Sequence, residues 1–210
     1  IDWKEEDISQ PSSIGRRVLA PIDLRELSQF IDWTFFFSAW ELKGRFPAIF
    51  DDPKVGSQAR SLYDDGVKLL GEMIDREEIE ARAVYGLWPA NSEGEDIVLY
   101  QDELRQAEAA RFPMLRQQAP SRAGVPSRSL ADFVAPRSSG LADHVGAFAI
   151  TAGLGADALA TQYEKKHDDY TSILVKALAD RLAEAGAEWL HQRVRTEWGY
   201  ETQGSFSNDQ

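Results

Sequence analysis

Asp180, Glu184 and Glu188 recur at four-residue spacing, which lines three carboxylates along one side of a helix, with Arg181 one residue round it. From the pattern alone this is a solvated acidic face. Asp32 is different, because it interrupts FIDWTFFFSAWELKGRFPAIF, where aromatic residues crowd from Phe30 to Phe50. Most of those aromatics are expected in a core. An acid among them must be capped, paired or turned toward a ligand, since an unpaired buried carboxylate is costly. His167, Asp168 and Asp169 are metal-ligating types, but adjacent residues of a helix point to different faces and cannot converge on one ion. They read as a solvated or partner-facing helix surface. TAGLGA, Thr151 to Ala156, superficially resembles a phosphate-binding turn. It lacks the third glycine of the dinucleotide fingerprint, and no P-loop Lys-Ser/Thr follows, so a tight strand-to-helix connection is the better reading. No nucleophile elbow or placeable Ser-His-Asp set is present.

The elements that must position these residues follow from periodicity. Residues up to about Pro21 mix charges with Pro11, Ser12, Ser13 and Gly15, and read as a linker or N-terminal arm over 1–21. Val55, Ala59, Leu62, Tyr63, Leu69, Leu70, Met73 and Ile74 keep helical spacing, with Pro53 suited to the first turn. AVYGLWPA and EDIVLYQDE flank NSEGE and predict a hairpin. Residues 103–118 are expected to be helical, and PSRAGVPSRS to be a loop. LADFVAPRSSGLADHVGAFAIT stops at Pro136, passes through a small polar loop and becomes nearly pure strand. From Ala156 to Arg195 a helical period persists, predicting a long spine or two nearly collinear helices. Gly186 is the expected place for a bend or for close approach of another backbone. The fold class is α+β: antiparallel strands with surrounding helices and one long C-terminal helix.

Composition narrows the partners. The 210 residues suffice for one domain with a sizeable core, or two small ones. The chain has no cysteine, so disulfides, thiolate metal sites and a cysteine nucleophile are excluded together, and the cytoplasm is a compatible location. No apolar run approaches the roughly 20 residues of a membrane span, and the acidic start is no signal peptide. A net charge of -12 argues against a nucleic-acid partner and leaves room for cationic ligands or a basic protein surface. With three histidines and none at ligand spacing to another, no metal is expected.

Four segments, in order, carry a resemblance that covers about Phe30 to Tyr200. IDWTFFFSAWELKGRFPAIFDD, GLWPANSEGEDIVLY, LADFVAPRSSGLADHVGAFAIT and HDDYTSILVKALADRLAEAGAEWLHQRVRTEWGY are similar to the activation domain of cobalamin-dependent methionine synthase. The resemblance implies a cytoplasmic domain of methionine biosynthesis that binds S-adenosylmethionine and presents its methyl group to cobalt. Oxidised cob(II)alamin takes one electron from a flavodoxin or other flavoprotein, and methylcobalamin is regenerated. The enzyme class implied is methyltransferase, as a domain that does not catalyse the full 5-methyltetrahydrofolate–homocysteine reaction alone. Binding, orientation and docking are the domain's part, so no catalytic residue is assigned. Asp32, in the family's IDW motif, and Glu184, in its LAEA segment, are the S-adenosylmethionine-binding candidates, and Asp180 the contact to the cobalamin-carrying domain. Acids suit a ligand bearing a sulfonium and an ammonium.

Two departures stand out. Phe35 replaces the family's usual proline. The RPAPGYP-type motif, whose Arg and backbone contact the substrate in the family, is not found, so the domain over 22–210 is expected to be C-terminally incomplete. The D-x-H-x-x-G motif of cobalamin-carrying domains is also missing, which puts cobalamin on a partner domain. The alternative function is a protein-interaction module that docks on the cobalamin domain or flavoprotein without competent S-adenosylmethionine binding.

Overall fold

The computed structural model describes residues 2–119 and 124–200. Five strands run in chain order as β1 (Gly15–Ile22), β2 (Glu80–Glu93), β3 (Asp96–Tyr100), β4 (Glu108–Pro113) and β5 (Asp143–Leu154). The helices are α1 (Leu24–Ser28), α2 (Trp33–Ser38), α3 (Gly56–Asp75), α4 (Ala156–Lys165) and α5 (Asp169–Trp198), with short 3-10 turns between. The sheet order is β1-β2-β3-β4, and β5 also pairs with β2. This is a mixed α+β fold. The chain forms two compact units, one of Ile1–Arg17, Tyr85–Phe148 and Arg193–Gln210, the other of Val18–Val84 and Ala149–Gln192.

Several expectations are corrected. The N-terminal stretch is not simply a linker, because its last part is strand β1. Within the first unit its earlier part is also tied down: Trp198 Nε1 donates to the Ser9 carbonyl at 2.9 Å and Gln10 Nε2 to the Ala142 carbonyl at 3.2 Å. The 103–118 helix is absent. A turn closed by Asp102, which accepts the Leu104 N–H at 3.0 Å, leads into β4, antiparallel to β3. Arg111 fixes that register by donating to Glu93 at 2.6 Å, Glu108 at 2.9 Å and Asp96 at 3.2 Å. Pairing with β3 overrides a helix-forming composition. The expected loop over 120–129 falls partly outside the described residues; 124–129 carries no helix or strand.

The helices begin and end where side chains cap them. Pro53 lies before α3 rather than in its first turn, because Asp52 Oδ1 accepts the N–H groups of Lys54 at 2.7 Å and Val55 at 3.1 Å and holds that stretch in a turn. The long C-terminal pattern is two helices, and the break falls at His167 instead of Gly186. His167 sits at φ 61, the Asp168 N–H closes on the Tyr163 carbonyl at 3.0 Å, and Asp168 Oδ1 accepts the Thr171 N–H at 3.0 Å to start α5. His167-Asp168-Asp169 is therefore a joint and not a helix face. Gly186 stays helical and marks side-chain packing, since a Cβ there would lie 2.7 Å from Ile150 Cδ1.

The distinctive stretch from Leu130 to His144 is a clasp in the first unit. Ser129 Oγ accepts the Ala131 N–H and donates to the Met114 carbonyl, while Asp132 accepts the Ser129 N–H at 2.9 Å. Buried Asn91 donates to the carbonyls of Ala135 and Leu141 at 3.0 and 2.9 Å. Ser92 Oγ donates to the Val134 carbonyl at 2.8 Å, and buried Asp143 accepts the Ala135 N–H at 2.8 Å. Arg105 joins Asn91 Oδ1 at 3.0 Å to the Asp143 carbonyl at 2.7 Å. The bonds close over an apolar cluster of Ala90, Ile97, Leu99, Ala131 and Val134.

Arg116 grips Asp132 through two donors, at 2.7 and 2.8 Å. This guanidinium, and then the Ser129 N–H, hold the Asp132 carboxyl well below the usual carboxylate range. A depressed folded-state value contributes stability in full above the unfolded value of about 3.9, and loses it as the pH falls from there through the folded value. Asp132→Asn is expected to lower the unfolding midpoint at pH 7, with the gap to the parent constant down to about pH 4 and narrowing below it. Thermal unfolding across pH 3–7 reads this directly; a gap constant with pH would remove the ion pair from the account.

Candidate functional site

The second unit organises its aromatics before it positions any charge. Trp33, Phe36, Phe37, Phe46, Phe50 and Tyr63 meet ring to ring, from Trp33–Tyr63 at 4.8 Å to Phe37–Phe46 at 6.4 Å between centroids. Phe36 and Phe37 are fully buried. Of the three roles open to Asp32, capping is realised: its Oδ1 accepts the Thr34 N–H at 2.8 Å and starts α2. Thr34 Oγ1 in turn accepts the Phe46 N–H at 3.2 Å, which fixes α2 against the aromatic loop. The Asp32 side chain remains exposed.

Phe35 follows Asp32 by three residues, so both lie on the first turn of α2, and Phe35 is 55% exposed. The Arg181 guanidinium from α5 lies 5.8 Å from the centre of the Phe35 ring. Arg181 also forms an ion pair with Glu184, one turn along its own helix. The Phe35–Arg181 contact thus brings the turn of α2 capped by Asp32 to the turn of α5 that carries Glu184. Asp180 is exposed and precedes Arg181 directly, while Glu188 is half-buried one turn beyond Glu184. The acidic row is real, but only its middle member is engaged by Arg181.

Phe35 and Arg181 are the residues that sequence reasoning left without a role. The signal for each was local, a three-residue offset from an acid already singled out. At the start of α5, Tyr170 donates to Asp65 at 2.8 Å and meets the Trp40 ring at a tilt, 5.3 Å between centroids. Burial and the Asp65 carboxylate push its phenol up to about 12. TAGLGA is a strand-to-helix connection, with Gly155 at φ 102 between β5 and α4.

Concavities lie elsewhere among the described residues. A cleft of about 920 Å³ in the second unit is lined by Asp23, Arg25, Asp75, Glu77 and Glu80, and by neither Asp32 nor Glu184. An apolar cleft of about 730 Å³ in the first unit is lined by Trp88, Phe112, Met114, Phe133, Val145 and Trp198, among others. Among the described residues, no group of three or more His, Asp or Glu side chains is placed to hold a metal ion. No helix there is long and apolar enough to cross a membrane.

A crystal structure of the MetH reactivation domain bound to AdoHcy has the same fold, with a TM-score of 0.91 and 43% sequence identity. The match covers 100% of this chain and 65% of the other, so the chain spans just under two-thirds of that chain's length. Residues 23–210 match the family described as vitamin B12 dependent methionine synthase, activation domain. The order of the four signature segments, the α+β architecture and this match agree, and the chain belongs to the activation-domain family of vitamin B12 dependent methionine synthase.

Proposed function

We propose that this chain is an S-adenosylmethionine-binding reactivation domain that supports reductive methylation of oxidised cob(II)alamin in a cobalamin-dependent methionine synthase. What carries this is a neighbour of the same fold, 43% identical, that is bound to AdoHcy, the demethylated form of that nucleoside. The side chains fit such a ligand. Asp32 and Glu184 present exposed carboxylates suited to an ammonium or sulfonium, and the chain's net charge of -12 favours a cation's approach. When bound, the nucleoside supplies the methyl group through its sulfonium, and cobalamin carried by a partner domain receives it. This chain's residues bind and orient. Asp180, exposed one turn before Glu184, is the proposed contact with the cobalamin-carrying domain. A flavodoxin or other flavoprotein is the proposed electron donor, and the cytoplasm the proposed location.

The test is calorimetric titration of the chain with S-adenosylmethionine, using Asp32→Asn as the control. Asn caps a helix about as well as Asp, so this change removes the charge and keeps α2. The expected result is an unfolding midpoint within a degree or two of the parent and affinity reduced on the order of tenfold or more, the scale of one charged hydrogen bond. Unchanged affinity would remove Asp32 from the site. No heat from a folded parent chain would leave only the docking function.

A further inference from the structure

We propose that the N-terminal arm is a releasable strap, fastened by Glu197, whose hold on Trp198 sets one wall of the apolar cleft in the first unit. Every residue from Asp2 to Ile14 is half-buried at most, so no buried apolar side chain anchors the arm. Hydrogen bonds hold it instead, and most of them converge on the last turn of α5. A segment held in this way opens without the elements around it.

Glu197 gathers the fastening. Its carboxylate, 20% exposed, accepts the phenol of buried Tyr85 on β2 at 2.7 Å and Arg17 on β1 at 3.0 Å. Arg193, one turn earlier on α5, donates to its other oxygen at 3.3 Å. The Glu197 carbonyl accepts the Ser12 N–H at 3.3 Å, and Arg17 also donates to Ser13 Oγ. One residue therefore binds β1 and β2 through its side chain and the arm through its backbone. An arm tied by polar bonds is ordinarily no more than a fraying end. The indole of Trp198 makes the difference here. Its Nε1 donates to the Ser9 carbonyl at 2.9 Å, while its six-membered ring lies against Gly146 of β5, where a Cβ would meet Cζ3 at 3.1 Å. Gly146, Trp198 and Tyr200 all line the apolar cleft, and the Trp198 and Tyr200 rings lie 5.5 Å apart. The same side chain is thus the arm's clamp and the cleft's wall. When the strap lets go, the indole N–H loses its acceptor, the ring is freed over Gly146, and the cleft changes shape with the arm.

Nuclear magnetic resonance on the full chain tests both halves of this. The Ser12 amide and the Trp198 indole N–H are expected to exchange with solvent together, on the order of tenfold or more faster than the amides of the β3–β4 ladder. Glu197→Gln keeps an oxygen for Tyr85 and removes the charge that gathers both arginines, so it speeds the two exchanges on the order of tenfold. The Gly146 α-proton signals, which sit against the indole, shift in that variant. The methyl of Met73, fully buried on α3, does not. Gln10→Ala combined with Ser13→Ala weakens the arm from its own side, and neither residue lines the cleft, yet the same Gly146 shift is expected. Arm protons that exchange no faster than the ladder overturn the strap. Parental arm exchange in Glu197→Gln overturns the latch. An arm that opens while Gly146 stays unmoved overturns the coupling to the cleft. A Met73 shift in step with Gly146 marks a general loosening and overturns the local reading.

Discussion

Asn91→Ala should destabilise the first unit by about 3 kcal/mol, the scale of orphaning a half-buried carbonyl, weakening a charged hydrogen bond and leaving a void. Asn91 is 3% exposed, and all its polar capacity is engaged. Its amide nitrogen bridges the Ala135 and Leu141 carbonyls, and its oxygen takes Arg105 Nη1 at 3.0 Å. The partners do not lose equally. The Ala135 carbonyl keeps the Ser92 N–H at 3.0 Å, and Arg105 keeps the carbonyls of Ala90 and Asp143. The Leu141 carbonyl loses the Asn91 donor outright. Ser92→Ala is the milder companion, at about 1 kcal/mol for one hydrogen bond to the Val134 carbonyl. Hydrogen exchange at the Ala135 amide, which donates to buried Asp143, reads the opening of this clasp alone. An Asn91→Ala protein within 1 kcal/mol of Ser92→Ala would falsify the ranking. The same bonds explain why the stretch from Leu130 to His144 is so distinctive without carrying chemistry. Its identity is spent on closing β2 and β5 over an apolar cluster.

How much of this was legible differs by element, for physical reasons. The α3 face, with Ala59, Leu62, Leu69, Leu70 and Met73 buried, is written in apolar spacing, and the β2–β3 hairpin in the turn chemistry around Gly94. Strand β4 was not legible. Glu103 to Ala110 has the composition of a helix, and only the pairing from Asp96↔Pro113 to Leu99↔Ala110 makes part of it a strand. That information lies in β3, far from the local window. The α4–α5 break was hidden because His167, not glycine, adopts the left-handed conformation there. Asp32 as a cap was within reach, since an acid before an apolar helical run is an N-terminal signal. The proposed ligand role of Glu184 and the proposed cobalamin-domain contact of Asp180 came only through the family's motifs, because spacing alone gave a solvated acidic face, while for Asp32 the motif favoured a ligand among the roles of cap, pair and ligand contact. The Phe35–Arg181 contact joins α2 to α5, and no periodicity within either helix encodes it.

Gly155→Ala should cost about 2–4 kcal/mol in the second unit, from backbone strain and steric overlap together. Gly155 sits at φ 102, where an L side chain is strained, and a Cβ there would lie 2.5 Å from the Glu78 carbonyl oxygen. Because that obstacle is backbone, relief requires moving the chain before β2 or the start of α4, whose Leu159 N–H closes on the Gly155 carbonyl at 3.0 Å. The neighbouring glycines set the scale. At Gly153 a Cβ would meet the Ala179 methyl at 3.1 Å, and at Gly186 it would meet the mobile end of Ile150 at 2.7 Å. Both can be relieved by small shifts, so Gly153→Ala and Gly186→Ala should each cost less than Gly155→Ala. Thermal unfolding of the three variants gives the order. The comparison also decides what TAGLGA is for. A turn built to cradle a phosphate would lose an anion on substitution and keep its fold. A turn built to join β5 to α4 loses stability, and at temperatures where the variant is folded its nucleoside affinity matches the parent's, since the proposed ligand residues Asp32 and Glu184 are untouched. A Gly155→Ala protein as stable as the parent overturns the joint reading. A variant folded at low temperature but deficient in nucleoside binding there would instead tie the turn to the site.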